Sequence, residues 1–189
     1  MTAAPNLRTE RLILRGWRDV DREPFARMNC DPAVMEHFPA LLSREESDAL
    51  VDRAEAHLKQ HEFGLWAAEL DETGEFIGYI GLVIPQFEAA FTPCVEIGWR
   101  LAREHWGKGL ATEGARSLVR HAFDVVSLAE LVSFTVPANV RSVRVMKKLG
   151  MTRDPRDDFD HPSLPDGHPL QRHVLYRLRR EDWKGVKWR

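Results

Sequence analysis

The 189-residue sequence predicts a single α/β domain over residues 1–189, with mixed layers around a partly antiparallel sheet. Three observations predict it. Strand-like and helical stretches alternate in the order β, helices, β-hairpin, β, helix, β, helix, β. Residues 71–75 (DETGE) are turn chemistry between two apolar runs, which reads as a hairpin and makes part of the sheet antiparallel. No internal repeat, glycine/serine linker or low-complexity tract divides the chain, and its length fits one domain with a substantial core.

The elements follow in order. Residues 9–17 (TERLILRGW) alternate polar and apolar and predict the first strand. Residues 19–38 read as a broken helix, with Pro24 near its start and Asp31-Pro32 as the break. Ser43-Arg44-Glu45-Glu46 fits an S-x-x-E capping box; Leu50, Val51, Ala54 and Leu58 then recur at helical spacing, so the helix runs to about His61. The hairpin strands are 65–70 and 76–84, closed by Pro85, and residues 94–101 (CVEIGWRL) form the next strand. Leu110, Ala111, Ala115, Leu118, Val119, Ala122, Phe123 and Val126 make one apolar helical stripe, with Thr112, Glu113, Arg116, Arg120 and Asp124 opposite. Residues 130–136 are a strand rich in β-branched side chains. Asn139 is a suitable N-cap for a helix over 140–149, and Gly150 the glycine just past its end. Residues 153–170 read as a loop dense in Pro, Asp and His, and 173–178 as the last strand.

Composition narrows the function. Hydrophobic residues are 43% of the chain, which fits a globular protein. Charged residues are 30% and nearly balanced, with a net charge of -2, which gives no support to nonspecific nucleic-acid binding. No apolar run approaches a membrane span and the N-terminal segment lacks the order of a signal peptide, so a cytoplasmic location is expected. Cys30 and Cys94 lack CxxC spacing and read as buried or half-buried thiols, not as a zinc site or redox pair.

Residues 101–112 (LAREHWGKGLAT) carry the chemistry. Gly107 and Gly109 stand where a strand gives way to the amphipathic helix. Glycine lets backbone N–H groups approach a ligand closely, and a helix start offers orphan N–H donors with about half a positive charge. Together these form a phosphate seat. A Walker A loop fails, because Gly109 follows Lys108 and no glycine stands upstream. A dinucleotide fingerprint also fails: Thr112 occupies its third glycine position, and Pro137-Ala138-Asn139 ends the next strand in place of an acidic residue. Two glycines alone fit a tight turn that binds nothing equally well.

The full succession decides the reading. RTERLILR (8–15), VEIGWRL (95–101), HWGKGLATE (105–113), NVRSVRVMKKLGM (139–151) and HVLYRL (173–178) together resemble the GNAT superfamily of acyl-CoA N-acyltransferases, in its RimJ/RimL-type branch. The resemblance covers nearly the whole chain. It implies a splayed, mostly antiparallel central sheet flanked by helices, with acetyl-CoA as co-substrate. It also implies that backbone groups of Trp106, Gly107, Lys108, Gly109, Leu110, Ala111 and Thr112 hold the coenzyme's pyrophosphate. Trp99 and Leu101 would pair with the pantetheine arm through their backbone, between strands 95–101 and 130–136, and Asn139 and Ser142 would contact the coenzyme near its thioester end. Two positions depart from the family pattern. Glu104 replaces the usual Gln or Arg and must point to solvent, since a carboxylate repels a pyrophosphate. Met146 replaces the tyrosine that in many relatives protonates the departing thiolate; methionine has no proton to give, which leaves Ser142, water or unaided departure.

An amine attacks a thioester only in its neutral form, so a base is needed. Glu96 is the first candidate, because an apolar flank would raise its pKa toward usefulness; its strand position fits a surface glutamate equally well. A backbone N–H near residues 97–99 would meet the oxyanion. His161 or His173, on a loop expected beside the acceptor, is the alternative base. Asp157, Asp158, Asp160 and His161 are expected to be solvated, with no metal bound. His37 and His105 read as surface or packing residues, Trp17, Trp66, Trp99 and Trp106 as core or cleft wall, and Trp183 and Trp188 as packing the tail down.

The expected reaction moves an acetyl group from acetyl-CoA to a primary amine, on a small molecule or a protein N-terminus, by direct attack in a ternary complex. No membrane or nucleic-acid partner is expected, and a homodimer is compatible with the reading. Acceptor choice is expected to reside in 19–61 and 153–170. The alternative is a non-catalytic acyl-CoA-binding sensor, which Glu104 and Met146 keep open.

Overall fold

The computed structural model describes residues 5–61 and 63–183. They fall into two compact units, one built from the residues up to 83 with 98–118, the other from 84–97 with 119 onward. The fold is mixed α/β, with an open, mostly antiparallel sheet and flanking helices.

In the first unit, β1 (Leu7–Arg8) turns back onto β2 (Leu12–Arg15) with Leu7 opposite Leu14. The strand expected over 9–17 is thus shorter, Leu12–Arg15, and is preceded by a two-residue strand that was not expected. Thr9 closes the turn: its N–H donates to the Leu12 carbonyl at 2.9 Å, and its hydroxyl accepts from the Leu12 N–H at 3.0 Å. Next come β3 (Leu65–Leu70), antiparallel to β2, and β4 (Phe76–Val83), antiparallel to β3 as the DETGE turn requires, and then β5 (Glu96–Leu101) beside β4. Gly78 permits the close approach of β5, since a Cβ there would stand 2.1 Å from the Arg100 carbonyl.

Helix α1 (Asp19–Asn29) starts with the Asp21 carboxylate accepting from the Arg18 N–H at 2.8 Å, and the chain breaks after it, as Asp31-Pro32 predicts. Helix α2 (Arg44–His61) opens on the expected box: the Glu46 N–H donates to the Ser43 hydroxyl at 3.2 Å and the Ser43 N–H to the Glu46 carboxylate at 2.7 Å. Leu12, Leu14, Phe25, Trp66, Ile77 and Ile80 are fully buried and form the centre of this unit. Helix α3 (Leu110–Arg120) begins here and is shorter than the stripe suggests. Its continuation, His121–Val125, is π-helical: the Val126 N–H reaches back to the His121 carbonyl at 3.0 Å and the Leu128 N–H to that of Ala122 at 2.9 Å. This widening buries His121, Ala122 and Phe123 while Val125 stays exposed.

In the second unit, the start of β5 pairs in parallel with β6 (Glu130–Thr135) at one position, Glu96 opposite Val132. Strand β6 runs antiparallel to β8 (Arg172–Arg179) from Glu130–Arg179 to Thr135–Val174. The segment expected as a loop contains β7 (Phe159–Asp160), which pairs with β8 through Phe159–His173 and Asp160–Arg172. Two residues carry no strand signal of their own; β8 supplies the order. Helix α4 (Val140–Lys148) follows β6, and α5 (Arg180–Trp183) packs Trp183 on Phe123 at 5.4 Å between ring centroids. Trp188 lies outside the described residues. Cys94 is half-buried, but Cys30 is exposed, because it caps the end of α1 at the surface. Among the described residues no helix is long and apolar enough to cross a membrane.

Candidate functional site

The glycine turn belongs to the first unit. After a single 3-10 turn at Arg103–His105, Gly107 and Gly109 take φ of 72° and 81°, the left-handed region where any side chain is strained. A Cβ at Gly107 would meet nothing within 4 Å, and at Gly109 its nearest neighbour would be Arg11 Nη2 at 3.6 Å, so conformation and not crowding calls for glycine. Gly107, Lys108 and Gly109 are exposed. The first bond of α3 runs from the Glu113 N–H to the Gly109 carbonyl at 3.0 Å. The N–H groups of Leu110, Ala111 and Thr112 precede it and find no acceptor among the described residues.

Arg11 braces this turn, a role no sequence pattern marked. It donates from Nη1 to the Lys108 carbonyl at 3.1 Å and from Nε to Glu113 at 2.7 Å. Glu113 also accepts from the Arg11 N–H at 2.8 Å and the Thr9 hydroxyl at 2.6 Å. Burial alone would raise the Glu113 carboxyl, but the bonds from Thr9 and Arg11 outweigh it and hold the group below the ordinary glutamate range. Glu104 is exposed. Thr112, expected on the polar face of α3, is instead 8% exposed, because protein also covers that side of the helix's first turn. Trp99 and Trp106 are half-buried, and the Trp106 indole donates to the Leu101 carbonyl at 2.7 Å, so that carbonyl already holds one bond. His105 is buried, 3.4 Å from Glu75; with exposed Glu104 these residues bring ligand atoms within 4.8 Å of one another.

Glu96 belongs to the second unit. It is half-buried, and protein surrounds its carboxyl closely enough that desolvation alone pushes it up to about 8. The Cys94 thiol is pushed up to about 11, first by burial and then by the Glu96 charge. Asn139 caps α4: its carbonyl oxygen accepts from the Ser142 N–H at 3.2 Å and its amide donates to the Thr135 hydroxyl at 3.0 Å. Ser142 is half-buried in the first turn of α4, whereas Met146 is 1% exposed, packed in the core.

The histidines of the 153–170 region and β8 join an aromatic cluster that the sequence did not reveal. Phe91–Phe159, Phe87–His161 and His161–His173 stand 4.7, 4.6 and 5.1 Å apart between centroids, and Phe134 packs on Phe159 at 5.4 Å. All six rings are half-buried. Burial lowers the pKa of both His161 and His173, against a backbone hydrogen bond to Gln171 that raises His173. Asp157 and Asp160 face Arg177 at 2.8 Å and Arg172 at 3.4 Å, and Asp158 pairs with Arg153; each acid thus has a cation of the protein's own.

Comparison with known proteins is consistent across sequence and fold. A family model described as an acetyltransferase (GNAT) domain matches residues 11–152. The FsC-acetyl coenzyme A-N(2)-transacetylase of Aspergillus fumigatus is 31% identical over 192 residues, covering 96% of this chain and 79% of that protein. The uncharacterized protein YkkB of Bacillus subtilis is 34% identical over 152 residues, covering 80% of this chain and 87% of its own. An acetyltransferase structure from Agrobacterium tumefaciens superposes with a TM-score of 0.75 at 29% identity, covering 95% of this chain and 96% of that one. Mycobacterium smegmatis RimJ, solved with CoA-disulfide, shares the fold at a TM-score of 0.71 and 19% identity, covering 90% of this chain and 82% of its own.

Proposed function

The chain belongs to the GNAT acetyltransferase family, and on that premise we propose that it transfers the acetyl group of acetyl-CoA to a primary amine by direct attack in a ternary complex. The family match runs through residues of both compact units, which supports reading 1–189 as one N-acetyltransferase domain. Its motif set supports the RimJ/RimL-type branch. The name of the Aspergillus relative specifies acetyl coenzyme A and an N(2) acceptor, which supports a nitrogen acceptor here.

One observation carries the reading: the unpaired N–H groups of Leu110, Ala111 and Thr112, behind exposed Gly107 and Gly109, form a main-chain seat for a diphosphate. Such a seat uses no side chain, so Glu104 is tolerated while it faces solvent. In the proposed step the amine nitrogen attacks the thioester carbon. A C–N bond forms, the C–S bond breaks, and the sulfur leaves with the bonding pair. Glu96 takes the amine proton, and its raised pKa makes the carboxylate a stronger base than an ordinary glutamate. Ser142 assists the departing thiolate, for which buried Met146 has no proton. A Cys94 thiol at about 11 is a poor nucleophile at neutral pH, which supports direct attack over an acyl-enzyme.

Calorimetry with coenzyme A and thiol release from acetyl-CoA with a panel of amines test this. Gly107→Glu is expected to abolish coenzyme binding, and wild type to release thiol with at least one amine. Unchanged binding in the variant overturns the seat. Tight acetyl-CoA binding with no release across a wide panel overturns the transfer in favour of a sensor.

A further inference from the structure

Glu75, Glu104 and His105 form a cluster in the first unit that the proposed reaction does not use. Glu75 ends the DETGE turn between β3 and β4, and its carbonyl accepts from the Leu70 N–H at 2.9 Å, which fixes the backbone there. Glu104 and His105 stand in the single 3-10 turn that leads to Gly107. The Ala102 N–H donates to the Ile77 carbonyl at 2.9 Å and the His105 N–H to the Ala102 carbonyl at 3.0 Å, so β4 holds this turn in place. Glu75 Oε1 lies 3.4 Å from His105 Nε2, and one donor atom from each of the three side chains falls within 4.8 Å of the other two. No other three histidine, cysteine or acidic side chains among the described residues come so close.

Each member lacks a partner of the protein's own. His105 is 6% exposed, and neither of its ring nitrogens makes a hydrogen bond among the described residues. A neutral imidazole has one N–H to give and one lone pair to fill, and burying both unmet is costly. The 3.4 Å contact with Glu75 is too long for a good hydrogen bond. Neither Glu75 nor Glu104 pairs with a lysine or arginine among the described residues, whereas Asp157, Asp158 and Asp160 all do.

A divalent cation meets these needs together. Zinc bonds of about 2.0–2.1 Å to nitrogen and about 2.0–2.2 Å to oxygen, at a tetrahedral angle, set two donor atoms about 3.4 Å apart. Nε2 and Oε1 already have that separation. The Glu75 side chain is 51% exposed and Glu104 is exposed, so the carboxylates reach the buried nitrogen from the solvent side, and an ion enters with them. The imidazole selects among ions, because magnesium and calcium prefer oxygen donors while zinc takes nitrogen and oxygen together.

We propose that Glu75, Glu104 and His105 bind Zn²⁺. The ion ties the end of the β3–β4 turn to the segment that leads into Gly107. The site goes beyond the acetyl-transfer reading, whose step needs no metal.

Its test is calorimetric titration of the chelator-treated full chain with Zn²⁺, in wild type, Glu75→Gln, Glu104→Gln and His105→Gln, with Mg²⁺ as the comparison ion. Wild type is expected to take one strong equivalent of Zn²⁺ and to bind Mg²⁺ far more weakly. Each substitution is expected to raise the Kd of that equivalent by about tenfold or more, since even a group behind a ligand is worth about 10–100-fold in metal affinity. Absence of strong Zn²⁺ binding by wild type overturns the proposal. So does an equivalent that keeps its affinity in both glutamate variants, which would put the ion elsewhere, as between the facing rings of His161 and His173. Unchanged affinity in His105→Gln, or Mg²⁺ bound as tightly as Zn²⁺, overturns it in favour of a plain acidic patch. If His105→Gln fails to fold, the two exposed glutamate positions and the Mg²⁺ comparison decide. No arm reads acetyl transfer, so failure of this site and failure of that reading are separate results.

Discussion

Glu96→Gln replaces the proposed base with an uncharged side chain of nearly the same shape, and it makes two separate demands on the structure. The first concerns rate. With its carboxyl at about 8, Glu96 is ionised in only about a tenth of molecules at pH 7. The base must be ionised, so kcat at saturating acceptor rises about tenfold per pH unit up to about 8 and then levels. A slope that stays the same for acceptors of different basicity belongs to the enzyme and not to the bound amine. Gln removes the slope and lowers the plateau by about a hundredfold or more. The second demand concerns stability. Folding favours the neutral carboxyl, so the native state gains nothing from ionisation that the unfolded chain enjoys. The wild type is therefore at its best below about 4.5, the ordinary value, and loses stability as pH rises to about 8. At about 1.4 kcal/mol per pH unit the ceiling is about 5 kcal/mol; water reaching the ionised, half-buried residue reduces it to about 2 kcal/mol. The variant should thus unfold with the wild type near pH 5, but about 5 °C above it near pH 9 in calorimetric or circular-dichroism melts. A variant that keeps the wild-type slope in kcat refutes Glu96 as the base. One whose Tm follows the wild type across the whole range refutes the burial that makes it one.

Three further substitutions read other parts of the site. Asn139→Ala removes the cap of α4 and should cost about 1 kcal/mol, seen as a Tm lower by about 2–4 °C; a rise in the Kd for coenzyme A beyond that loss would come from the proposed coenzyme contact. Ser142→Ala keeps the backbone N–H that Asn139 accepts, so Tm should hold while kcat falls about tenfold; an unchanged kcat means the thiolate leaves unaided. Met146→Tyr puts a larger polar side chain where the residue is 1% exposed, and should cost about 1–3 kcal/mol in urea unfolding without raising kcat. A faster, stable Met146→Tyr enzyme would show that the position faces the thioester after all.

What could be read from the sequence divides by the range of the interaction responsible. The hairpin of β3 and β4 and the start of α2 were legible because their determinants, DETGE and S-x-x-E, lie within a few residues of what they shape. The glycine turn was legible for the same reason, since left-handed φ at Gly107 and Gly109 is a local demand. The short β1 before the expected strand escaped because a side-chain bond of Thr9 makes the turn that pairs it with β2, and β7 because β8 alone orders it. Arg11 escaped because its partner Glu113 stands 102 residues away. The aromatic cluster escaped because Phe87, Phe134 and Phe159 meet only after folding.

The same division separates the coenzyme from the acceptor. The proposed seat of main-chain N–H groups answers to backbone conformation, so it would tolerate a solvent-facing carboxylate at Glu104, and its residues stand together in one short stretch of the sequence. Glu96 and Arg100 are ordinary charged residues on a strand, set apart only by what encloses each of them. Burial lifts one carboxyl toward neutrality and leaves one guanidinium without a counter-ion. Neither effect is a property of the residue type; both are energies of placing charge among apolar neighbours supplied from distant segments. With Glu96 as the proposed base, the chemistry would depend on enclosure, and two chains with the same turn could differ by changing what stands around β5, with the turn itself untouched.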